Sequence, residues 1–170
     1  MSTGAGYAGI MAQRDDIVRA SIGLDYARYT TGAIAFDYER LLADTGYDIA
    51  AAAAVQRATA VGNTPLVELH NITALLRRLC KPGRGARIFV KDEAANPSGS
   101  FKDRRASLSV HEAKRRGYAG VVAATSGNYG AAVASQAAKA GLHCIVVQEA
   151  FDSRGVAQPE IAEKTRACEA

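Results

Sequence analysis

From Pro65 to Cys168 short β-branched runs alternate with helical stretches, and this alternation limits the folds open to the chain more than any other feature. Strands are expected over 65–69, 86–91, 121–124 and 143–148, and helices over 72–80, 101–116, 128–140 and 159–168. Four strand-then-helix units in succession predict an α/β fold, a parallel sheet with helices on both faces. The punctuation agrees: Gly117 and Gly141 stand where helix C-caps belong, and Lys81 to Gly85 (KPGRG) reads as a turn. Before Val61 the pattern is helical, over 11–22, 38–43 and 49–58, with Asp48 as a cap ahead of an alanine run. The chain therefore divides into a helical amino-terminal extension, 1–60, and an α/β region, 61–170.

Composition narrows the function classes. A net charge of +4 comes from 21 basic and 17 acidic side chains spread along the chain, and aromatics are only 6%, so neither a basic stripe nor a stacking platform points to nucleic acid. The basic side chains read as solvated helix faces, with attraction of an anionic ligand as the alternative. Cys80, Cys144 and Cys168 lack metal-ligand spacing, and His70, His111 and His143 form no ligand motif, so neither a disulfide framework nor a metal site is expected. No apolar run approaches the ~20 residues needed to cross a bilayer, and no signal pattern opens the chain, which makes the cytoplasm the expected location.

Two loops carry the chemistry. Asn96 to Arg104 (NPSGSFKDR) follows the 86–91 strand and puts Lys102 in the first turn of the next helix. The positive end of a helix dipole disfavours a cation there by a few tenths to about 1 kcal/mol, whereas a lysine held as a neutral imine escapes that cost. Helix N-termini also receive phosphate through unpaired N–H groups. A solvated surface lysine is the alternative reading. The second loop, Thr125, Ser126, Gly127, Asn128, Tyr129 and Gly130, follows the 121–124 strand and opens an alanine-rich helix. Its hydroxyls, amide and N–H groups suit a carboxylate, with Gly127 and Gly130 letting backbone approach a ligand. A well-made N-cap would use the same residue types.

Together NPSGSFKDR, TSGNYG and Val61 to Leu66 (VGNTPL) resemble the fold-type II pyridoxal-phosphate enzymes, which include threonine synthase, cysteine synthase and the tryptophan synthase β chain. The resemblance implies pyridoxal 5'-phosphate as cofactor, linked as an imine to Lys102, with Asn128 hydrogen-bonded to the cofactor's ring hydroxyl oxygen. It also implies that Thr125, Ser126, Gly127, Asn128 and Tyr129 grip the substrate's α-carboxylate. Tyr129 stands where threonine is more common. A narrower resemblance, carried by GNTPLVEL, the 81–110 stretch, AATSGNYGAAVASQAA and Gly32 to Glu39 (GAIAFDYE), is to the 2-amino-4-oxopentanoate thiolase β subunits. That family implies an acyltransferase of ornithine degradation, which uses coenzyme A to give acetyl-CoA and alanine, with a smaller α subunit and a homo-oligomer as partners.

The glycine-rich phosphate cup and the residue facing the pyridine nitrogen, which these enzymes carry further downstream, have no counterpart in the 170 residues. The chain is accordingly expected to be the amino-terminal part of a longer enzyme, lacking part of its cofactor site. A threonine synthase-like lyase acting on an O-phosphorylated or O-acylated amino acid is the first alternative. A non-catalytic truncated remnant is the second.

Overall fold

The computed structural model describes residues 6–32, 34–125 and 127–169, in two compact units divided between Ala51 and Ala52. The first unit contains α1 (Tyr7–Ala12), α2 (Arg14–Ile22), the antiparallel pair β1 (Thr30–Thr31) and β2 (Ala35–Phe36), and α3 (Tyr38–Thr45). The helix expected over 11–22 is thus two helices broken at Gln13. Buried Tyr29 holds this unit together: it packs against Phe36, and its hydroxyl donates to Asp44 at 3.1 Å. Asp37 caps α3, and Gly46 ends it in the left-handed region at φ 76°, which glycine adopts without a Cβ penalty. α4 (Ile49–Ala58) follows, and the Asp48 carboxylate accepts from Ala51 N at 2.7 Å, the cap expected from sequence.

The second unit contains β3 (Leu66–Glu68), α5 (His70–Leu79), β4 (Phe89–Lys91), α6 (Lys102–Arg115), β5 (Gly120–Ala124), α7 (Asn128–Ala140), β6 (His143–Val147) and α8 (Pro159–Glu169). The α/β alternation is realised element by element. Parallel pairing is realised by β5 and β6, in register from Gly120 opposite His143 to Ala124 opposite Val147. β3 and β4 differ from the expectation of a common parallel sheet: they pair antiparallel with each other, Val67 opposite Val90. Side-chain contacts reinforce that register, for Arg87 forks onto Glu68 at 3.1 and 2.6 Å and Thr73 Oγ1 accepts from Ile88 N at 3.0 Å.

The core lies between α6, α7 and β5, where Ala106, Val110, Ala123, Ala132 and Val133 are buried together. Burying a valine of this kind contributes about 1.5–3 kcal/mol, and the alanines of α7 let the helix approach the strands closely. Val121, Ala123, Cys144 and Val146 face these helices. Val122, Ile145 and Val147 point to the opposite face of the pair and are 72, 61 and 56% exposed. Among the described residues, helices thus cover one face of the parallel pair. Gly117 and Gly141 are both left-handed helix ends, at φ 77° and 70°, as their positions in the sequence predict.

Candidate active site

Lys102 is the first residue of α6, half-buried, with its Nζ 4.4 Å from the centre of the Phe101 ring. Among the described residues its Nζ has neither a hydrogen-bond partner nor an ion-pair partner. The loop leading to it is tightly tied. Asn96 is buried; its Oδ1 accepts from Gly62 N at 2.9 Å and its Nδ2 donates to the Glu93 carbonyl and to Glu93 Oε2 at 2.9 and 3.0 Å. Gly99 turns the chain at φ 77°, and Ser100 Oγ accepts from Lys102 N at 3.3 Å. Asp103, wholly buried, accepts from both Ser98 N and Ser98 Oγ at 2.7 Å, and from Gln136 Nε2 at 3.3 Å. A carboxylate in the first turn also suits the positive end of the α6 dipole.

A charged cluster lies behind this loop. Glu93 Oε2 and Oε1 accept from Arg104 Nε and Nη2 at 2.7 and 2.8 Å, and Oε1 also accepts from Thr64 Oγ1 at 2.7 Å. The Arg104 fork, followed by the Thr64 hydroxyl, holds the Glu93 carboxyl down to about 2, well below its ordinary 4.5. Reciprocally, Glu93 raises Arg104 above its ordinary value. Lys91 Nζ donates to the Thr64 carbonyl, and Gln56 Nε2 to the Arg104 carbonyl at 3.1 Å.

In the second loop, Thr125 N donates to the Val147 carbonyl at 2.9 Å, extending the strand pairing by one step. Thr125 Oγ1 accepts from Gly127 N at 3.1 Å. Ser126 lies outside the described residues. Gly127 is extended, and a Cβ built there would meet nothing within 4 Å, so the space beside it is open. Asn128 starts α7 exposed, its side-chain amide without a hydrogen-bond partner among the described residues. Gly130 corrects its expected role: a Cβ there would lie 2.8 Å from Val146 Cγ1 and 3.0 Å from Thr125 Cγ2, so this glycine seats α7 on the strands rather than admitting a ligand. Tyr129 packs beside the core, and the guanidinium of Arg105 lies 4.6 Å from its ring centre. That contact brings the first turns of α6 and α7 together, three residues beyond Lys102.

Sequence reasoning missed Glu93, Asp103, Arg104, Arg105 and Thr64 as parts of this neighbourhood. Asp103 had a local signal, an acidic residue in a helix's first turn. Glu93 had none, since its partner stands eleven residues away. Partial burial pushes the Cys144 and Cys168 thiols up, in keeping with unreactive thiols.

The match to known proteins decides the family. Residues 57–170 match the family described as pyridoxal-phosphate dependent enzymes. The chain belongs to that family. Over all 170 residues it is 58% identical to a protein named 2-amino-4-ketopentanoate thiolase beta subunit from Acetoanaerobium sticklandii, and it covers 36% of that relative. It is 44% identical over 86 residues to threonine synthase of Halalkalibacterium halodurans, a stretch that covers 51% of this chain and 22% of that protein. Among solved structures, the O-acetylserine dependent cystathionine β-synthase of Helicobacter pylori matches 68% of this chain and 34% of its own at 26% identity, with a TM-score of 0.49. The chain thus spans about a third of the length of the thiolase relative. Its residues fit the aldehyde end of the family's cofactor: an uncommitted, half-buried primary amine stands on a rigidly tied helix start, and open space lies beside Gly127.

Proposed function

We propose that this chain is part of a pyridoxal-phosphate dependent thiolase β subunit, an acyltransferase that uses coenzyme A to cleave 2-amino-4-oxopentanoate (the 2-amino-4-ketopentanoate of its relative's name) to acetyl-CoA and alanine. The identity of 58% along the whole chain is the observation that carries this reading. Cleavage breaks the bond between C3 and C4 and forms one between C4 and the coenzyme A sulfur. The bonding electrons stay on C3, which takes up a proton and becomes the methyl group of alanine. Bound pyridoxal phosphate supplies the electron sink that such a cleavage requires.

In this reading Lys102 holds the cofactor's aldehyde through its Nζ and, once displaced, moves the proton of the substrate's α-carbon. Asn128 would hold the cofactor's ring hydroxyl oxygen through its side-chain amide. Thr125, Ser126, Gly127, Asn128 and Tyr129 receive the substrate's carboxylate. The uncommitted amine of Lys102, the uncommitted amide of Asn128 and the space beside Gly127 support these roles. Residues 1–60 act as a helical extension and 61–170 as the amino-terminal portion of the catalytic region. An α subunit is the partner, a role supported by the relative's designation as a beta subunit, in a homo-oligomer working in the cytoplasm. No helix among the described residues is long and apolar enough to cross a membrane.

The similarity to threonine synthase over half of the chain supplies the competing reading. Assay of the full chain with its partner subunit separates the two. Coenzyme A-dependent loss of 2-amino-4-oxopentanoate with formation of acetyl-CoA is the expected result. Phosphate release from O-phosphohomoserine without that reaction would replace thiolase with threonine synthase.

A further inference from the structure

Two polar atoms of the 61–66 segment, the first of the three motifs, point to protein, Gly62 N reaching Asn96 and Thr64 Oγ1 reaching Glu93, while Asn63 between them is exposed. Both contacts converge on one carboxylate. Glu93 accepts four hydrogen bonds, one each from Thr64 and Asn96 and two from Arg104, which fills its acceptor positions. Glu93 precedes Lys102 and Arg104 follows it, so this ion pair closes the lysine-bearing loop upon itself, and Asn96 ties the loop's first residue into the same carboxylate. Within the loop the Gly99 N to Asn96 carbonyl bond, at 2.8 Å, makes a turn. Backbone bonds from Asn96 N to Glu93 and from Asp103 N to Ser100 flank that turn, and side chains add anchors, Asp103 at the Lys102 end and Glu93 behind it.

We propose that Glu93, through Arg104, Asn96 and Thr64, is a positioning residue that fixes Lys102 for reaction with an aldehyde, and that Gly62 and Thr64 of the 61–66 segment anchor this clasp. The inference rests on Lys102 being the cofactor lysine. Glu93 makes no contact with Lys102 Nζ, so it acts on the amine only through the loop. The fork from Arg104 is directional as well as charged, so an amide in place of the carboxylate leaves one of the two guanidinium N–H groups facing an N–H donor. Arg104 then loses its fixed place, and the start of α6 loses its link to 61–66.

The second unit contains a matched control. Glu68 of β3 and Arg87, two residues before β4, form an equally forked pair outside the lysine loop. In the full chain, Glu93→Gln and Glu68→Gln are compared with the wild type by two readouts: amide hydrogen exchange of residues 96–102, and the rate at which Lys102 is trapped by pyridoxal phosphate and borohydride. Glu93→Gln is expected to speed exchange and to slow trapping, each by about tenfold, since small misplacements of a reacting group are costly. Glu68→Gln should leave both within about twofold, as a pair remote from the loop. Should Glu93→Gln fail to fold, Arg104→Lys, which keeps the charge and loses the fork, carries the same comparison. Wild-type trapping rates in the clasp variant, or equal slowing in the Glu68 variant, overturn the clasp while leaving Lys102 as the cofactor lysine. A wild type that gives no Lys102 product removes the functional reading and the clasp with it.

Discussion

The two loops that face the candidate site are built in opposite ways. The 96–104 loop is anchored by buried Asn96, Ser100 and Asp103 and tied by charged groups at both ends, Glu93 with Arg104 on one side and Asp103 on the other. Among the described residues the 125–129 loop is held by a backbone bond from Thr125 N to Val147 and by local bonds from Gly127 N to Thr125 Oγ1 and from Gly130 N to the Gly127 carbonyl, and the Asn128 amide has no hydrogen-bond partner. The difference fits the roles proposed for the two loops. A group that reacts covalently gains from being fixed before the ligand arrives, whereas a group that binds must keep its donors and acceptors free for the ligand. In the proposed reading, a tied loop carries the reacting lysine and polar groups without partners among the described residues await the ligand.

The largest expected effect comes from removing the fixed group. Lys102→Ala should eliminate covalent cofactor attachment and lower turnover by at least about a thousandfold while leaving the melting temperature nearly unchanged, as calorimetry beside the thiolysis assay would show. On the binding side, Asn128→Ala and Gly127→Ala should keep stability within about 0.5 kcal/mol in denaturant titrations, because Asn128 is exposed and a Cβ at Gly127 meets nothing within 4 Å. They should weaken cofactor or substrate binding by about tenfold or more in fluorescence titrations. Gly130→Ala should do the reverse. Helix propensity alone would favour alanine by about 1 kcal/mol, but the added Cβ meets stiff β-branched Val146 and Thr125, so a net loss of about 1 kcal/mol is expected by the same titration.

The clasp also makes stability depend on pH. Glu93 sits near 2 when folded and near its ordinary 4.5 when unfolded. Its folded value is depressed, so its contribution to stability is whole above about pH 4.5 and is lost as pH falls toward about 2. Glu93→Gln should flatten that part of the acid-unfolding curve, measured by circular dichroism, relative to Glu68→Gln.

Much of this was legible in the sequence because it is written in local patterns. The helix starting at Lys102 and the glycine ends at 117 and 141 follow from periodicity and turn chemistry. Pairing partners are not local. The antiparallel match of Leu66–Glu68 with Phe89–Lys91 depends on contacts such as Arg87 with Glu68, nineteen residues apart, which no short window contains. Likewise, the continuous apolar run of β5 reads as buried on both sides, yet Val122 is largely exposed, because strand periodicity reports an apolar face without saying what packs on it. Gly130 was assigned to ligand approach for the same reason: a glycine beside a polar loop looks alike whether it admits a ligand or Val146.

The most direct test of the account is to add pyridoxal phosphate to the full chain, reduce with borohydride and map the modified lysine by peptide mass spectrometry. The account predicts a single dominant product at Lys102. Modification spread over Lys91, Lys114, Lys139 and other lysines, with no preference for Lys102, would contradict it.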